Sequence, residues 1–242
     1  QMAGLDHMSG GRAGWNIVTS SDGFQNFGMD SAPDPATRYR RATEFVEVAN
    51  QLWDSWEDDA VTNDKESAWY VDTDKIHPIN HDGEFFKVQG PINMPRSPQG
   101  RPVLVQAGSS GPGMELGSSV ADGIYTAQPL KEPSVEFYAK FKAMAAAKGR
   151  NPNDVKIIPG ILPILGDTQA EANELAEELA NHIHLENGRV QVGADLKMDL
   201  SSLDFNEKIP AEWFSDDPAL GSRYQIYRRK SVDQGMTLRE LI

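Results

Sequence analysis

An apolar, β-branched run, RPVLVQ at residues 101–106, passes through Ala107 directly into Gly108, Ser109, Ser110 and Gly111. When a strand of a parallel α/β protein ends in small residues ahead of a helix, successive backbone N–H groups and the positive end of the helix dipole converge. That makes an anion cradle at the C-terminal end of the strand, and serine hydroxyls add donors to it. An ordinary βα turn has the same composition, so spacing alone does not choose between the two. His77 and His81 have H-x3-H spacing beside Asp82, but that spacing aligns imidazoles only on a helix and Pro78 interrupts one, which argues against a metal pair. His182 and His184 diverge two positions apart and suit surface or cap positions. Asp122, Glu132 and Asp167 fall near strand ends, where an acid and base pair for glycoside chemistry could be built, yet nothing in the sequence ties any two together. There is no Gly-x-Ser-x-Gly elbow and no Walker-type loop.

The net charge of −13 sets up a field that repels phosphate backbones and anionic membrane surfaces, so nucleic acid and membrane are not expected as partners. An anion can bind only where local donors outvote that field. The absence of Cys removes disulfides, thiolate metal sites and thiol nucleophiles, and fits a reducing compartment. No apolar run approaches the roughly 18 residues of a membrane span and no charged-then-apolar segment opens the chain, so a cytoplasmic location is expected.

These residues are carried by alternating strands and helices. The opening QMAGLDHMS resembles a helix end, Gly10 and Gly11 make a turn, and residues 15–19 form a short strand. Residues 39–56 predict a helix of about five turns, with Ala42, Phe45, Ala49, Leu52, Trp53 and Trp56 on its buried stripe and Arg40, Arg41, Glu44 and Glu47 facing solvent. A Pro- and Gly-rich insertion at about 61–100 contains a hairpin around His81, Asp82 and Gly83. Alternation then resumes with strands at 103–106, 123–126 and 156–165 and helices between them, which implies a parallel sheet. Thr168 and Glu171 form a capping-box pair opening a helix with a stripe of Ala172, Leu175, Ala176, Leu179 and Ile183. The stretch 188–235, with Ser201, Ser202, Asp204, Asp216, Asp217 and Pro218, predicts a loop-rich region. About four βα units are half of a closed (β/α)8 barrel, so the sequence predicts one barrel domain over 1–242 that is only partly covered.

The strings SGGRAGWNIVTS, NFGMD, RYRRATEFVEVANQLWDSWEDDAV and HDGEFFKVQGPINMPRSPQGRPVLVQAG, in that order, resemble the nitrilotriacetate, dibenzothiophene-sulfone and long-chain-alkane monooxygenase group of bacterial-luciferase-like, FMN-dependent monooxygenases. The resemblance runs from about Leu5 to about Glu178 and continues more weakly to Ile242. It implies a (β/α)8 TIM barrel with an insertion, binding FMN as FMNH2 supplied by a separate flavin reductase. It also implies that O2 is used to oxygenate a small organic substrate, in a homo-oligomer. Flavin contacts carried over by the resemblance are Asn16, Thr19, Tyr39, Gly108, Ser109 and Ser110. From the residues alone, Asn16 suits packing equally well and Tyr39 suits an amphipathic helix start. The group commonly has His four residues before the tyrosine, where this chain has Pro35, which offers no donor. That departure motivates the alternative of a flavin-binding but catalytically inactive relative, or a truncated one.

Overall fold

The computed structural model describes residues 1–20, 23–108, 110–128, 131–217, 220 and 222–242. The chain divides into two compact units, Gln1–Gly160 and Ile161–Ile242. The first contains α1 (Met2–Ser9), β1 (Gly14–Asn16), α2 (Pro35–Trp53), β2 (Val61–Asp64), β3 (Trp69–Val71), β4 (His81–Asp82), β5 (Lys87–Val88), β6 (Val103–Gln106), α3 (Gly111–Val120), β7 (Gly123–Thr126), α4 (Lys131–Ala147) and β8 (Lys156–Pro159). Among the described residues its main sheet has the order β1-β6-β7-β8, with every pairing parallel. The strands expected at 15–19, 103–106 and 123–126 are therefore neighbours in one parallel sheet.

Alternation along each strand gives the sheet two unlike faces. Leu104, Gln106, Ile124 and Thr126 are buried. Leu104 packs in a cluster with Ile17, Val46, Trp53 and Leu116, and Ile124 in one with Met114, Phe137, Phe141 and Val155. Val103, Tyr125 and Ile158 point the other way and are 42%, 45% and 46% exposed. β1 is shorter than expected, since only the Ile17 N–H, donated to Val105 O at 2.7 Å, continues the pairing past Asn16. β8 stops at Pro159 rather than running to 165: the Gly160 N–H, donated to Thr126 O at 3.0 Å, is the last bond to β7, and Pro163 offers no donor beyond it.

The long helix α2 starts four residues earlier than its apolar period suggested. Asp34 caps it by accepting the Thr37 N–H at 3.0 Å, and Pro35 occupies the first turn, where its missing N–H costs nothing. Val46 and Trp53 are buried on its inner face with Ala42 and Ala49 beside them, whereas Phe45 is 47% exposed. Trp56 lies past the helix end, buried, with its indole N–H donated to Ile92 O at 2.7 Å. Glu44 is not on a solvent face. It accepts the N–H groups of Phe85 and Phe86 and the His81 Nε2–H, which ties the β4–β5 hairpin to α2.

In the second unit lie α5 (Gln169–Asn181), α6 (Leu185–Leu196), α7 (Ser222–Arg228) and α8 (Leu238–Leu241). Thr168 caps α5 as expected, accepting the Glu171 N–H at 3.2 Å, but the Glu171 carboxylate returns to the Asp167 N–H, not to that of Thr168. The expected buried stripe of α5 is not buried, with Leu175, Leu179 and Ile183 at 39%, 51% and 44% exposure. His182 and His184 are caps of α5 and α6. The stretch expected to be loop-rich carries α6 to Leu196, α7, a π turn at Arg229–Asp233 and Val192, Leu196, Leu200, Leu203, Ile209 and Tyr224, which form a core with Leu238 and Leu241 of α8. Pro218 lies outside the described residues. No helix among the described residues is long and apolar enough to cross a membrane.

Candidate functional site

The C-terminal ends of β1 and β6 are adjacent, since Asn16 pairs with Val105. Two features open there. The first is the β6–α3 turn. Ser110 is the N-cap of α3 and its Oγ accepts the Gly113 N–H at 3.3 Å, which leaves the hydroxyl proton to donate elsewhere. Gly111 heads the helix, so its N–H is among those an α-helix leaves without an intrahelical acceptor, and the space where its side chain would stand is open. Gly108 behaves differently: its N–H is donated to Gln106 Oε1 at 2.8 Å and does not face outward with the others. Ser109 lies outside the described residues. The turn thus offers a hydroxyl, a first-turn N–H and the helix dipole, a donor set suited to an anion.

The second feature is a pocket of about 490 Å³ lined by Asn16, Thr19, Phe24, Phe27, Arg38 and Arg41 among others. Asn16 reaches it from the exposed side of β1, and Thr19 from the segment beyond the strand. Arg38 donates one guanidinium N–H to Ser20 O, while its Nε is buried with no partner among the described residues. Arg41 lies over the Phe86 ring with 4.9 Å to the centroid. A buried donor without an acceptor is costly, so its presence in a pocket wall suits an anionic group brought by a ligand. Arg38 was not singled out from the sequence and Arg41 was read only as solvent-facing, although RYRR on an amphipathic helix places the first and last of its arginines three apart, on one face. Tyr39 sits in the second turn of α2, half-buried against the cluster of Ile17, Val46, Trp53 and Leu104.

The two histidines of the insertion and Asp122 are occupied elsewhere. His77 meets Glu57 at 2.8 Å and His81 meets Glu44 at 3.0 Å, so the two imidazoles serve different carboxylates. Burial opposes ionisation of Glu44, but His81 and the N–H groups of Phe85 and Phe86 outweigh it and hold the carboxyl below its ordinary range. Asp122 accepts the Leu104 N–H at 2.8 Å, at the N-terminal end of the sheet, away from the turn and the pocket. In a parallel barrel that end serves stability, not chemistry.

A family model described as luciferase-like monooxygenase matches residues 1–231. The chain belongs to this family. Among its relatives, N-acetyl-S-(2-succino)cysteine monooxygenase of Bacillus subtilis (strain 168) is 42% identical over 247 residues, covering 100% of this chain and 55% of that protein. Nitrilotriacetate monooxygenase component A of Aminobacter aminovorans is 39% identical over 242 residues, covering 99% and 53%. The solved structure of a riboflavin lyase with modified FMN and riboflavin superposes with a TM-score of 0.81 at 30% identity, covering 98% of this chain and 52% of that one. This luciferase-like chain thus spans about half the length of the curated relatives it matches. Its parallel sheet with helices packed on one face is part of the family's (β/α)8 barrel, and the two relatives are monooxygenases by name.

Proposed function

We propose that this chain forms the flavin-phosphate end of a monooxygenase that takes FMNH2 from a separate reductase and, with O2, oxygenates a small organic substrate. The observation that carries the reading is the donor set at the β6–α3 turn: the Ser110 hydroxyl, the Gly111 N–H and the N-terminus of a ten-residue helix. Ser110 and Gly111 would hold the phosphate, with Ser109 and Gly108 as further members of the loop. Asn16 and Thr19, at the mouth of the neighbouring strand, would meet the ring system or the substrate beside it, and Tyr39 completes the set of flavin residues. When bound, reduced flavin supplies the electrons that activate O2. The chain's own part is to bind, orient and exclude water. Phe24 and Phe27 give the pocket apolar walls, and the Nε of Arg38, which has no partner among the described residues, offers a charge-assisted bond to an anionic group within it.

Pro35 bears on the reaction, not on the fold. It stands in the first turn of α2, where proline is favoured, and leaves Asp34 as cap. The test is made in the full-length protein: FMN is titrated by fluorescence quenching, and incorporation of one oxygen atom from 18O2 into candidate substrates is then followed with chemically reduced FMN. Tight FMN binding with incorporation supports the reading. Binding with O2 consumption that no substrate changes identifies an inactive relative, and failure to bind FMN removes the assignment.

A further inference from the structure

We propose that Gln106 is the positioning residue of this turn, a buried carboxamide that fixes the Gly108 peptide so that the donors following it face the phosphate. The inference rests on the phosphate reading above and adds a residue that contacts no ligand. Gln106 is the last residue of β6, on the face turned toward the helices, and is 3% exposed. Its Oε1 accepts the Gly108 N–H at 2.8 Å. Because a backbone N–H only donates, the carboxamide oxygen must take that side, and the Nε2 is thereby turned toward the Gly108 α-carbon. A Cβ at residue 108 would collide with this nitrogen and stand 2.9 Å from Gly113 Cα.

The surrounding glycines fit the same purpose. A Cβ at Gly117 would lie 3.2 Å from Gln106 Oε1, and one at Gly113 would lie 2.9 Å from Gly108 Cα. A side chain at 108 or 113 would thus force the backbone of strand end and helix start apart, and one at 117 would press on Ile124 at 3.1 Å as well as on the amide, so α3 packs closely over the end of β6. The chemistry also explains why the residue is an amide. A carboxylate could accept the same N–H, but it would put a negative charge beneath the place where a phosphate must sit. An apolar residue would leave a buried N–H unpaired and the peptide free to turn.

The prediction is a loss of discrimination, not simply of binding. FMN and riboflavin differ by the phosphate, so both are titrated by fluorescence quenching into the full-length protein, its Gln106→Met variant and its Gln106→Glu variant. The unaltered protein should prefer FMN. Gln106→Met, similar in length but without the amide, should lower that preference by roughly tenfold while riboflavin affinity stays the same. Gln106→Glu should keep the turn but lose the preference at neutral pH, and recover it as the new carboxyl is protonated. Unchanged preference in both variants overturns the inference and leaves the phosphate site standing, and so does an equal loss of both flavins, which would mark a purely structural residue. If the unaltered protein does not prefer FMN over riboflavin, the phosphate reading itself fails.

Discussion

Ser110 serves two purposes with one hydroxyl, accepting the Gly113 N–H as a helix cap while its proton remains to be donated. Ser110→Ala should therefore cost about 1 kcal/mol of stability through the lost cap, and should weaken FMN roughly ten- to a hundredfold through the lost donor. Ser110→Thr should restore both, and thermal denaturation beside FMN titration checks the pair. Gly108→Val is a poorer probe of phosphate approach, because its side chain would strike Gln106 and Gly113 before reaching any ligand. Asp6 is a second residue with a measurable consequence. It is buried and accepts Gln99 N–H at 3.0 Å, Gln99 Nε2–H at 2.6 Å and Ala13 N–H at 3.2 Å. Burial pushes its carboxyl up, but these donors win and lower it from an ordinary 3.8 to about 2. A depressed carboxyl adds stability that is complete above its unfolded value and fades as pH falls toward the folded one. Acid denaturation should thus show a component between 3.8 and about 2 that Asp6→Asn abolishes, and an identical acid limb in the variant would contradict it.

At the scale of elements, the insertion is held by polar contacts to the end and outer face of α2. Glu44 binds the β4–β5 hairpin, Arg96 bridges Asp54 at 2.6 Å and Asp58 at 2.8 Å, and Trp56 is bonded to Ile92. Replacing Glu44 by Ala strands the N–H groups of Phe85 and Phe86, so amide exchange across 81–88 should accelerate while β6 and β7 keep their protection. Gly83→Ala should act in the same direction, since its Cβ would run into the Glu44 carboxylate. Equal exchange in hairpin and sheet would mean that the anchor is not local. The same contact explains what the sequence could and could not disclose. The strands β1, β6 and β7 were legible as short apolar runs bounded by glycine, and the helical period of α2 was plain. The placing of Glu44 and Phe45 was not, because the groups that bury Glu44 come from about forty residues later. In the second unit, α6 was hidden by Gly188 and Gly193, which in sequence signal a loop. In the structure a Cβ at 193 would stand 2.8 Å from Met198 O, so close approach of the returning chain requires glycine inside the helix. The anion turn was legible as a pattern, but Gln106 was not, since its bond to the Gly108 N–H two residues on leaves no mark in composition or periodicity.

At the scale of the whole molecule, the sheet of the first unit is covered by helices on one face and open on the other. Among the described residues β1 and β8 are its edges, and Val103, Tyr125 and Ile158 stand on the open face. In a closed barrel this face is the packed interior and neither edge is free. The 242 residues expressed alone should therefore present an apolar sheet face and two unpaired edges, a combination that favours self-association. The net charge of −13 opposes aggregation at low salt and is screened at high salt, so association should grow with ionic strength. Paired substitutions give the argument its sign. Tyr125→Lys with Ile158→Lys places charges on the open face, which should reduce both dye binding by exposed apolar surface and the sedimenting oligomer in the isolated chain. The same pair in the full-length protein should prevent folding, because there the lysines would be buried without partners. Analytical ultracentrifugation with a hydrophobic reporter dye checks the first half, and circular dichroism of the full-length variant checks the second. An isolated chain that sediments as a monomer, ignores the dye and melts cooperatively would show that this face is satisfied without the rest of a barrel.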